Sequence, residues 1–448
     1  AGSQINNRGF NNTFTYIKVQ SNGEFIVLDY IGLRTINSEG NMSGNDVKAT
    51  FGSDTLYSSS YFGGNDPVTD SSGLIPNFVA PIEIYDGSST PTKVITPMTV
   101  RFSDWIETFN LDPYSGSSIT VTVPELRVKN NNTGGWSYFI QTSINKAGSG
   151  DVIIISPGTY YETIIVNRTG LTLQGYSSTE LNEGVIIDAE NEACAITVQK
   201  SGISILGLNI TNSFAWEDPF NSSGIRVLSD NNEIKYNKIT DSYVGILLET
   251  SDNNEIHENE IDNVDIGIIV TKSNDNSIDS NQIIDSDIAD IRVTSFGYTS
   301  GSESNDFSKN TGVELIEFID SNSNSLNDQE VGTYDLENSK RISVYQSSYD
   351  YVICDLDSSL YLKNWININV LRDDVPLINV DVKIWDSDNI IYSTDYFGGT
   401  NSKTNSQGKV SEDIELIYRI FNGSSTATDN ITKVQIRFSD WFKTEISE

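Results

Sequence analysis

Apolar and polar residues alternate in short runs through the middle of the chain, and the runs recur. Glu255-Ile256-His257-Glu258-Asn259-Glu260-Ile261 alternates strictly, Gly245-Ile246-Leu247-Leu248 is continuously apolar, and Asn, Asp and Ser separate such stretches. Period-two alternation between turn residues predicts strands, and the block keeps no helical period. The sextet Ser229-Asp230-Asn231-Asn232-Glu233-Ile234 returns as Ser251-Asp252-Asn253-Asn254-Glu255-Ile256 and as Ser273-Asn274-Asp275-Asn276-Ser277-Ile278, a step of 22 residues. Asn237, Asn259 and Asn281 keep that step, as do Ile239, Ile261 and Ile283, while Gly224, Gly245, Gly267 and Ala289 open successive strands. A unit this short cannot enclose a core alone. Coils stacked ~4.8 Å apart do so collectively, which predicts a solenoid of parallel strands with about 11 turns. Asn237, Asn259 and Asn281 then fall on one corner, where Asn tolerates left-handed backbone and stacked amides form a structural ladder.

A second, much longer repeat brackets the first. Asp46-Val47-Lys48 recurs as Asp381-Val382-Lys383, Tyr61-Phe62-Gly63-Gly64 as Tyr396-Phe397-Gly398-Gly399, and Arg101-Phe102-Ser103-Asp104-Trp105 as Arg437-Phe438-Ser439-Asp440-Trp441. Asp86-Gly87-Ser88-Ser89 likewise matches Asn422-Gly423-Ser424-Ser425, and all offsets are 335 or 336. Two copies of one domain are therefore expected, each of short alternating strands between Gly, Asn and Ser turns, as in a β-sandwich of immunoglobulin-like type. No Cys-Trp-Cys spacing accompanies them. The expected fold class is all-β: a central right-handed parallel β-helix at 113–365, flanked by homologous β-sandwich domains at 1–112 and 366–448.

The segment Tyr138 to Val166, with Leu171-Thr172-Leu173-Gln174-Gly175 and Ile203-Ser204-Ile205-Leu206-Gly207-Leu208-Asn209-Ile210, resembles the opening turns of right-handed parallel β-helix proteins of the pectin-lyase-like family. The resemblance implies a short amphipathic capping helix at about Tyr138 to Ala147 and an early turn at Pro157-Gly158-Thr159-Tyr160. It carries fold and not activity, because solenoids of this kind serve lyases, hydrolases, epimerases, phage spikes and surface-layer proteins alike. The combination with immunoglobulin-like domains resembles archaeal cell-surface and surface-layer proteins.

Charge narrows the partners. Asp and Glu number 62 against 28 Lys and Arg, and the formal charge of -34 repels phosphate backbones, so nucleic acid is not an expected partner. No apolar run approaches the ~18–20 residues of a membrane span. The opening Ala1-Gly2-Ser3-Gln4 fits a processed exported chain and a cytosolic one equally. Eight sequons, at Asn11, Asn41, Asn131, Asn167, Asn209, Asn221, Asn422 and Asn430, are glycosylation candidates that favour an extracellular or cell-surface setting. Cys194 and Cys354, both in apolar contexts, are expected to be buried and unbridged.

Candidate chemistry is sparse. The single histidine, His257, lies on an alternating strand with Ile256 and Ile261 inward, and is expected to sit solvated among acids. Arg226 and Arg292 occupy similar Ile-Arg-Val strands three turns apart. Two excursions interrupt the period, at 213–222 and 295–306, and projecting loops collect binding residues. Within the first, Trp216 and Phe220 suit glycan stacking, and Glu217 and Asp218, with Arg226 nearby, suit acid chemistry; the alternative is a loop folded back over apolar flank. Catalytic signatures of polygalacturonases and alginate epimerases are absent, as are P-loop motifs, Cys or His pairs and G-x-S-x-G, so phosphoryl transfer and zinc chemistry are not expected. No cofactor is expected beyond structural calcium, for which Asp386-Ser387-Asp388-Asn389 and Asn65 to Asp70 offer oxygen ligands without EF-hand spacing.

The expected function is structural: a subunit of an extracellular filament, sheath or surface layer, a homopolymer assembled end to end through the duplicated domains, and not an enzyme. The stretch Phe10 to Gln20 alternates like a strand, either one within its own sandwich or one for addition to a neighbour. The alternative is a secreted polysaccharide-active enzyme or glycan-binding adhesin acting on the β-helix, with cell-surface glycans as partners.

Overall fold

A computed structural model of the chain describes residues 8–10, 24–37, 40–86, 90, 92–93, 96–102, 105–111, 118–123, 127–175, 184–214, 220–295, 302–386, 389–410, 414–430, 432–438 and 441–447. They fall into two compact units, Ala1–Lys146 and Ala147–Glu448. The candidate donor stretch beyond Phe10 lies outside the described residues.

The larger unit contains a parallel β-solenoid of about nine turns, fewer than the repeat length suggests. Each coil gives a short strand to a narrow sheet and one or two strands to a broad sheet. In the narrow sheet Ser204–Leu206, Glu233–Lys235, Glu255–His257, Ser277–Asp279, Asp306–Ser308 and Ser325–Asn327 stack in register. Alternation decides which side faces in: Ile205, Ile234, Ile256, Ile278, Phe307 and Leu326 are the middle residues of those strands, and all are fully buried. Each such side chain contributes about 1.5–3 kcal/mol relative to exposure. In the broad sheet Lys238–Glu249, Glu260–Thr271 and Gln282–Thr294 are long strands that bend at Asp241, Asn263 and Asp285. These residues, and Tyr236, Glu258 and Ser280 at the preceding corner, hold φ between 50° and 56°. Asn and Asp accept that left-handed conformation readily; at Tyr236 and Glu258 it costs roughly 1–2 kcal/mol, which stacking must offset.

Two amide ladders flank the narrow strands. Asn237, Asn259, Asn281 and Asn310 are buried, and each Nδ2 donates to the Oδ1 of the next at 2.9–3.1 Å. That Oδ1 also accepts the backbone N–H of the preceding Asn, while Nδ2 donates to a carbonyl of the coil before it, Ile205, Ile234, Ile256 or Ile278. A second ladder, Asn232, Asn254, Asn276, Asn305 and Asn324, does the same on the other side of the strand. Corner backbone that leaves the sheet ladder is thereby satisfied inside the molecule.

The small-residue column behaves differently from its sequence spacing. A Cβ at Gly245 would stand 2.6 Å from the Gly267 carbonyl oxygen and from Ile261, so only glycine fits. The next rung after Gly267 is Asp290, not Ala289, because pairing slips between Val264 and Ile266. Asp290 is 5% exposed, and its Oδ2 accepts the backbone N–H groups of Glu314 and Leu315 at 2.7 and 2.8 Å.

The last narrow strand, Ser359–Ile366, pairs antiparallel with Ile414–Asn422, so sheet continuity carries the solenoid into the C-terminal repeat. There a sheet ordered Asn389–Ser393, Asp381–Asp386, Thr432–Phe438, Trp441–Ser447 contributes Val382 and Ile384 to a core shared with Ile414 and Leu416. The N-terminal unit shows the same order, Asp54–Ser58, Asp46–Phe51, Thr96–Phe102, Trp105–Leu111, with Asp46 opposite Arg101 as Asp381 is opposite Arg437. Its Val47, Ala49, Met98 and Val100 pack against Ile31, Leu33, Phe78 and Ala80 of a facing sheet. A helix, Ile140–Lys146, ends the unit. Both cysteines are buried and unbridged, and burial pushes both thiols up.

Asn259→Ala should remove at least two ladder bonds and strand their buried partners, at about 1–3 kcal/mol each. Thermal unfolding followed by circular dichroism is expected to show a drop of several degrees in Tm; an unchanged Tm would show the ladder to be dispensable. Burial also raises the Asp290 carboxyl above its ordinary value, and two backbone donors only partly oppose this. A raised folded pKa means stability present below the unfolded value of about 4 and lost as pH rises through the folded one. Asp290→Asn is therefore expected to be at least as stable as the parent in urea at pH 7, with that advantage shrinking by pH 4.

Candidate functional site

Residues on either side of the buried middle position of each narrow strand face outward and stack into two columns. One runs Ser204, Glu233, Glu255, Ser277; the other runs Leu206, Lys235, His257, Asp279. Glu233 and Glu255 thus lie directly opposite on adjacent rungs. The His257 Nε2 is 3.3 Å from Glu233 Oε1, and its Nδ1 is 3.5 Å from Glu258 Oε2. One ligand-type atom each from Glu233, Glu255 and His257 lies within 4.8 Å of the others.

Neighbouring charges are committed elsewhere. Lys235 Nζ pairs with Glu258 at 2.9 Å, and this hydrogen bond holds Glu258 below the usual carboxylate range and Lys235 above its own. Asp279 accepts hydroxyl hydrogens from Ser308 at 2.7 Å and Ser280 at 3.0 Å. Glu255 is exposed, and its carboxylate has no ion-pair or hydrogen-bond partner among the described residues. The cluster therefore offers an unpaired carboxylate and a carboxylate shared with an imidazole, with polar outward positions around them. Four rungs further along the column of His257 stands Tyr345, about 19 Å away at the rung spacing. Its ring stacks on Trp365 with centroids 5.6 Å apart and planes at 12°, and Trp365 remains 42% exposed. The Tyr345 hydroxyl donates to Glu415 at 2.9 Å, and Lys363 Nζ is 2.6 Å from Glu415 Oε1.

The residues singled out from sequence are dispersed. Trp216, Glu217 and Asp218 lie outside the described residues. Phe220 packs against the cluster of Val244, Leu247, Ile266 and Ile269, so the described end of that excursion covers apolar flank. Arg226 donates to Glu249 Oε2 at 2.6 and 2.9 Å and to the Phe220 carbonyl, and lies in one outward column with Leu247, Ile269 and Arg292. Arg292 pairs with Glu317, so both guanidiniums serve the solenoid surface. Among the sequons, Asn41, Asn131, Asn167, Asn221 and Asn422 are exposed, Asn209 is half-buried in a strand, and Asn11 lies outside the described residues. Asn430 is half-buried, and its Nδ2, the atom a glycan would take, donates to the Ile417 carbonyl.

The acid-rich turn of the N-terminal unit spends its carboxylates on backbone. Asp66 accepts from Ser58 N, and Asp70 from Ser72 N and Leu74 N. In the C-terminal repeat Asn401 accepts from Ser393 N, and Asn405 from Gln407 N and Lys409 N. An amide does the work as well as a carboxylate, so negative charge is not what this turn requires. Of the other calcium candidate, Ser387 and Asp388 lie outside the described residues. The duplicated Tyr-Phe-Gly-Gly segment is braced by its own domain while its tyrosines stay exposed: Arg101 stacks over Tyr61 at 3.0 Å and Arg437 over Tyr396 at 3.3 Å. Gly64 and Gly399 press against the Ser58 and Ser393 carbonyls, where a Cβ has no room. No helix among the described residues is long and apolar enough to cross a membrane.

Residues 184–348 match a family described as right handed beta helix region. No curated protein matches the chain. Among solved structures it is similar to an alginate lyase from Paenibacillus sp. str. FPU-7, at 15% identity over 47% of this chain and 87% of that one, with a TM-score of 0.33. It is also similar to the catalytic domain of a GH87 α-1,3-glucanase in complex with nigerose, at 11% identity over 81% of this chain and 80% of that one, TM-score 0.33. A third is a pectin methylesterase in complex with a hexasaccharide, at 13% identity over 49% and 87%, TM-score 0.26. At such identities the likeness is one of fold. The expectation of a structural subunit joined end to end is corrected: the solved structures that resemble the chain are described as polysaccharide-active enzymes. Of the repeated motifs that suggested matching ends, Tyr61 and Tyr396 are held by Arg101 and Arg437 of their own domains, and both rings remain exposed.

Asp66→Asn is expected to leave thermal stability within about 0.5 kcal/mol of the parent, both with and without millimolar calcium. A calcium-dependent loss in that variant would restore the turn as an ion site.

Proposed function

We propose that the protein is a polysaccharide-active enzyme working outside the cell, with the outward face of the narrow sheet as its substrate surface and Glu233, Glu255 and His257 at its centre. The observation that carries this reading is the convergence of two carboxylates and an imidazole on adjacent rungs of the outward face. Glycan cleavage needs groups that hold and move protons beside the scissile bond, and carboxylates in unlike surroundings divide into donor and acceptor. Glu255 is exposed and unpaired, and Glu233 lies 3.3 Å from a His257 ring nitrogen, so the two carboxylates differ in their neighbours. A face this rich in carboxylates repels an acidic polymer and suits a neutral one. The Tyr345–Trp365 stack, with Glu415 and Lys363 beside it, supplies the aromatic plane and hydrogen-bonding groups that a pyranose ring takes. That stack also favours a second reading, a glycan-binding protein without turnover. The two end domains, in this proposal, are copies of one module that carry the solenoid and take no part in the chemistry. Exposed sequons agree with an extracellular setting.

Release of reducing ends from a panel of neutral and acidic polysaccharides tests the proposal. Activity on a neutral polymer is expected to fall about 100-fold or more in Glu255→Gln, the usual scale for losing a proton-transfer group, with Tm unchanged. Binding without turnover, weakened by Trp365→Ala, would establish the second reading. Neither binding nor turnover on any polymer would end both.

A further inference from the structure

We infer that Glu233, Glu255 and His257 form a binding site for a divalent transition-metal ion. Two glutamates directly opposite on neighbouring strands repel each other, and the chain already carries a formal charge of -34. Lys235, on the neighbouring column, is taken by Glu258, and the rungs above and below present Ser204 and Ser277. His257 comes from the adjacent column, and its Nε2 approaches Glu233 Oε1 at 3.3 Å. The three donor atoms already lie within 4.8 Å of one another. Around a tetrahedral ion with bonds of ~2.1 Å they would stand about 3.4 Å apart, a closure that long glutamate side chains make by small rotations. Two carboxylates and one imidazole neutralise a dication and suit zinc, manganese or cobalt, whereas calcium and magnesium favour oxygen alone. All three side chains are partly open to solvent, which leaves a coordination position for water or a substrate oxygen. Sequence spacing concealed the set, because Glu233 comes from the coil before the one that carries Glu255 and His257.

This inference deepens the site proposed above but rests on its geometry alone, and the experiment needs no glycan. The full chain, stripped with EDTA, is titrated with Co²⁺, read by visible d–d absorption and by calorimetry. One saturable equivalent with a nitrogen-containing spectrum is expected, resistant to millimolar Ca²⁺ and Mg²⁺. His257→Ala and Glu233→Gln/Glu255→Gln should each weaken it by at least ~10-fold, since even outer-shell partners of a ligand are worth that much. Asp373→Asn, in the exposed hairpin Leu371–Pro376, should leave it unchanged. Because the substituted side chains face outward, unchanged circular dichroism is expected and separates ligand loss from misfolding. Several weak equivalents displaced by Ca²⁺, or a tight equivalent untouched by His257→Ala, would overturn the inference. If the ion binds and no polysaccharide is cleaved, the metal site stands and the enzymatic proposal falls.

Discussion

Stacking of one coil on the next governs this protein. A coil of 22 residues has too little interior to fold alone, so each rung depends on its neighbours for backbone hydrogen bonds and for a closed apolar column. The corners are the weak points, because chain that turns out of a sheet leaves polar groups inside. Asn237, Asn259, Asn281 and Asn310, with Asn232, Asn254, Asn276, Asn305 and Asn324 opposite, fill that need with one side chain per corner. Each amide donates and accepts along the axis, which Asp, lacking donors, does not. The ladders therefore hold rung spacing and register together.

Rigid register is also what makes a surface. Outward side chains are placed at fixed intervals on a backbone with little freedom, so Glu233 meets Glu255 and His257 of the next coil. Tyr345 and Trp365 stand further along the same face for the same reason. Function on such a scaffold is distributed along a line, which suits an extended polymer better than a compact ligand. The broad sheet uses its outward positions otherwise: Leu247 and Ile269 are covered by Phe220, and Arg226 and Arg292 are tied to Glu249 and Glu317.

The end domains show how duplication misleads. Repeated Tyr-Phe-Gly-Gly and Arg-Phe-Ser-Asp-Trp segments suggest matching surfaces, yet Tyr61 and Arg101 face each other, and Gly64 gives way to the carbonyl of Ser58, at the end of the preceding strand. The repeated residues are those that the fold of the module needs. Asn401 and Asn405 in place of Asp66 and Asp70 make the same point for charge, since the turn keeps its acceptors and discards its carboxylates.

The sequence by itself determined the parallel solenoid, its step, the inward Ile column and the recurrence of one strand pattern on either side of it, because alternation, turn chemistry and repetition are local and periodic. It placed His257 outward but among anonymous acids, and it directed attention to Trp216, Glu217 and Asp218 because an interrupted period is visible and a register is not. Only the tertiary structure decided that Glu233 faces Glu255 and that His257 reaches back to Glu233. It alone decided that Asp290 follows Gly267 and that a strand of the C-terminal repeat extends the narrow sheet. Those outcomes depend on pairing between coils and on one-residue slips, which change the neighbour of every side chain while leaving the local pattern unaltered.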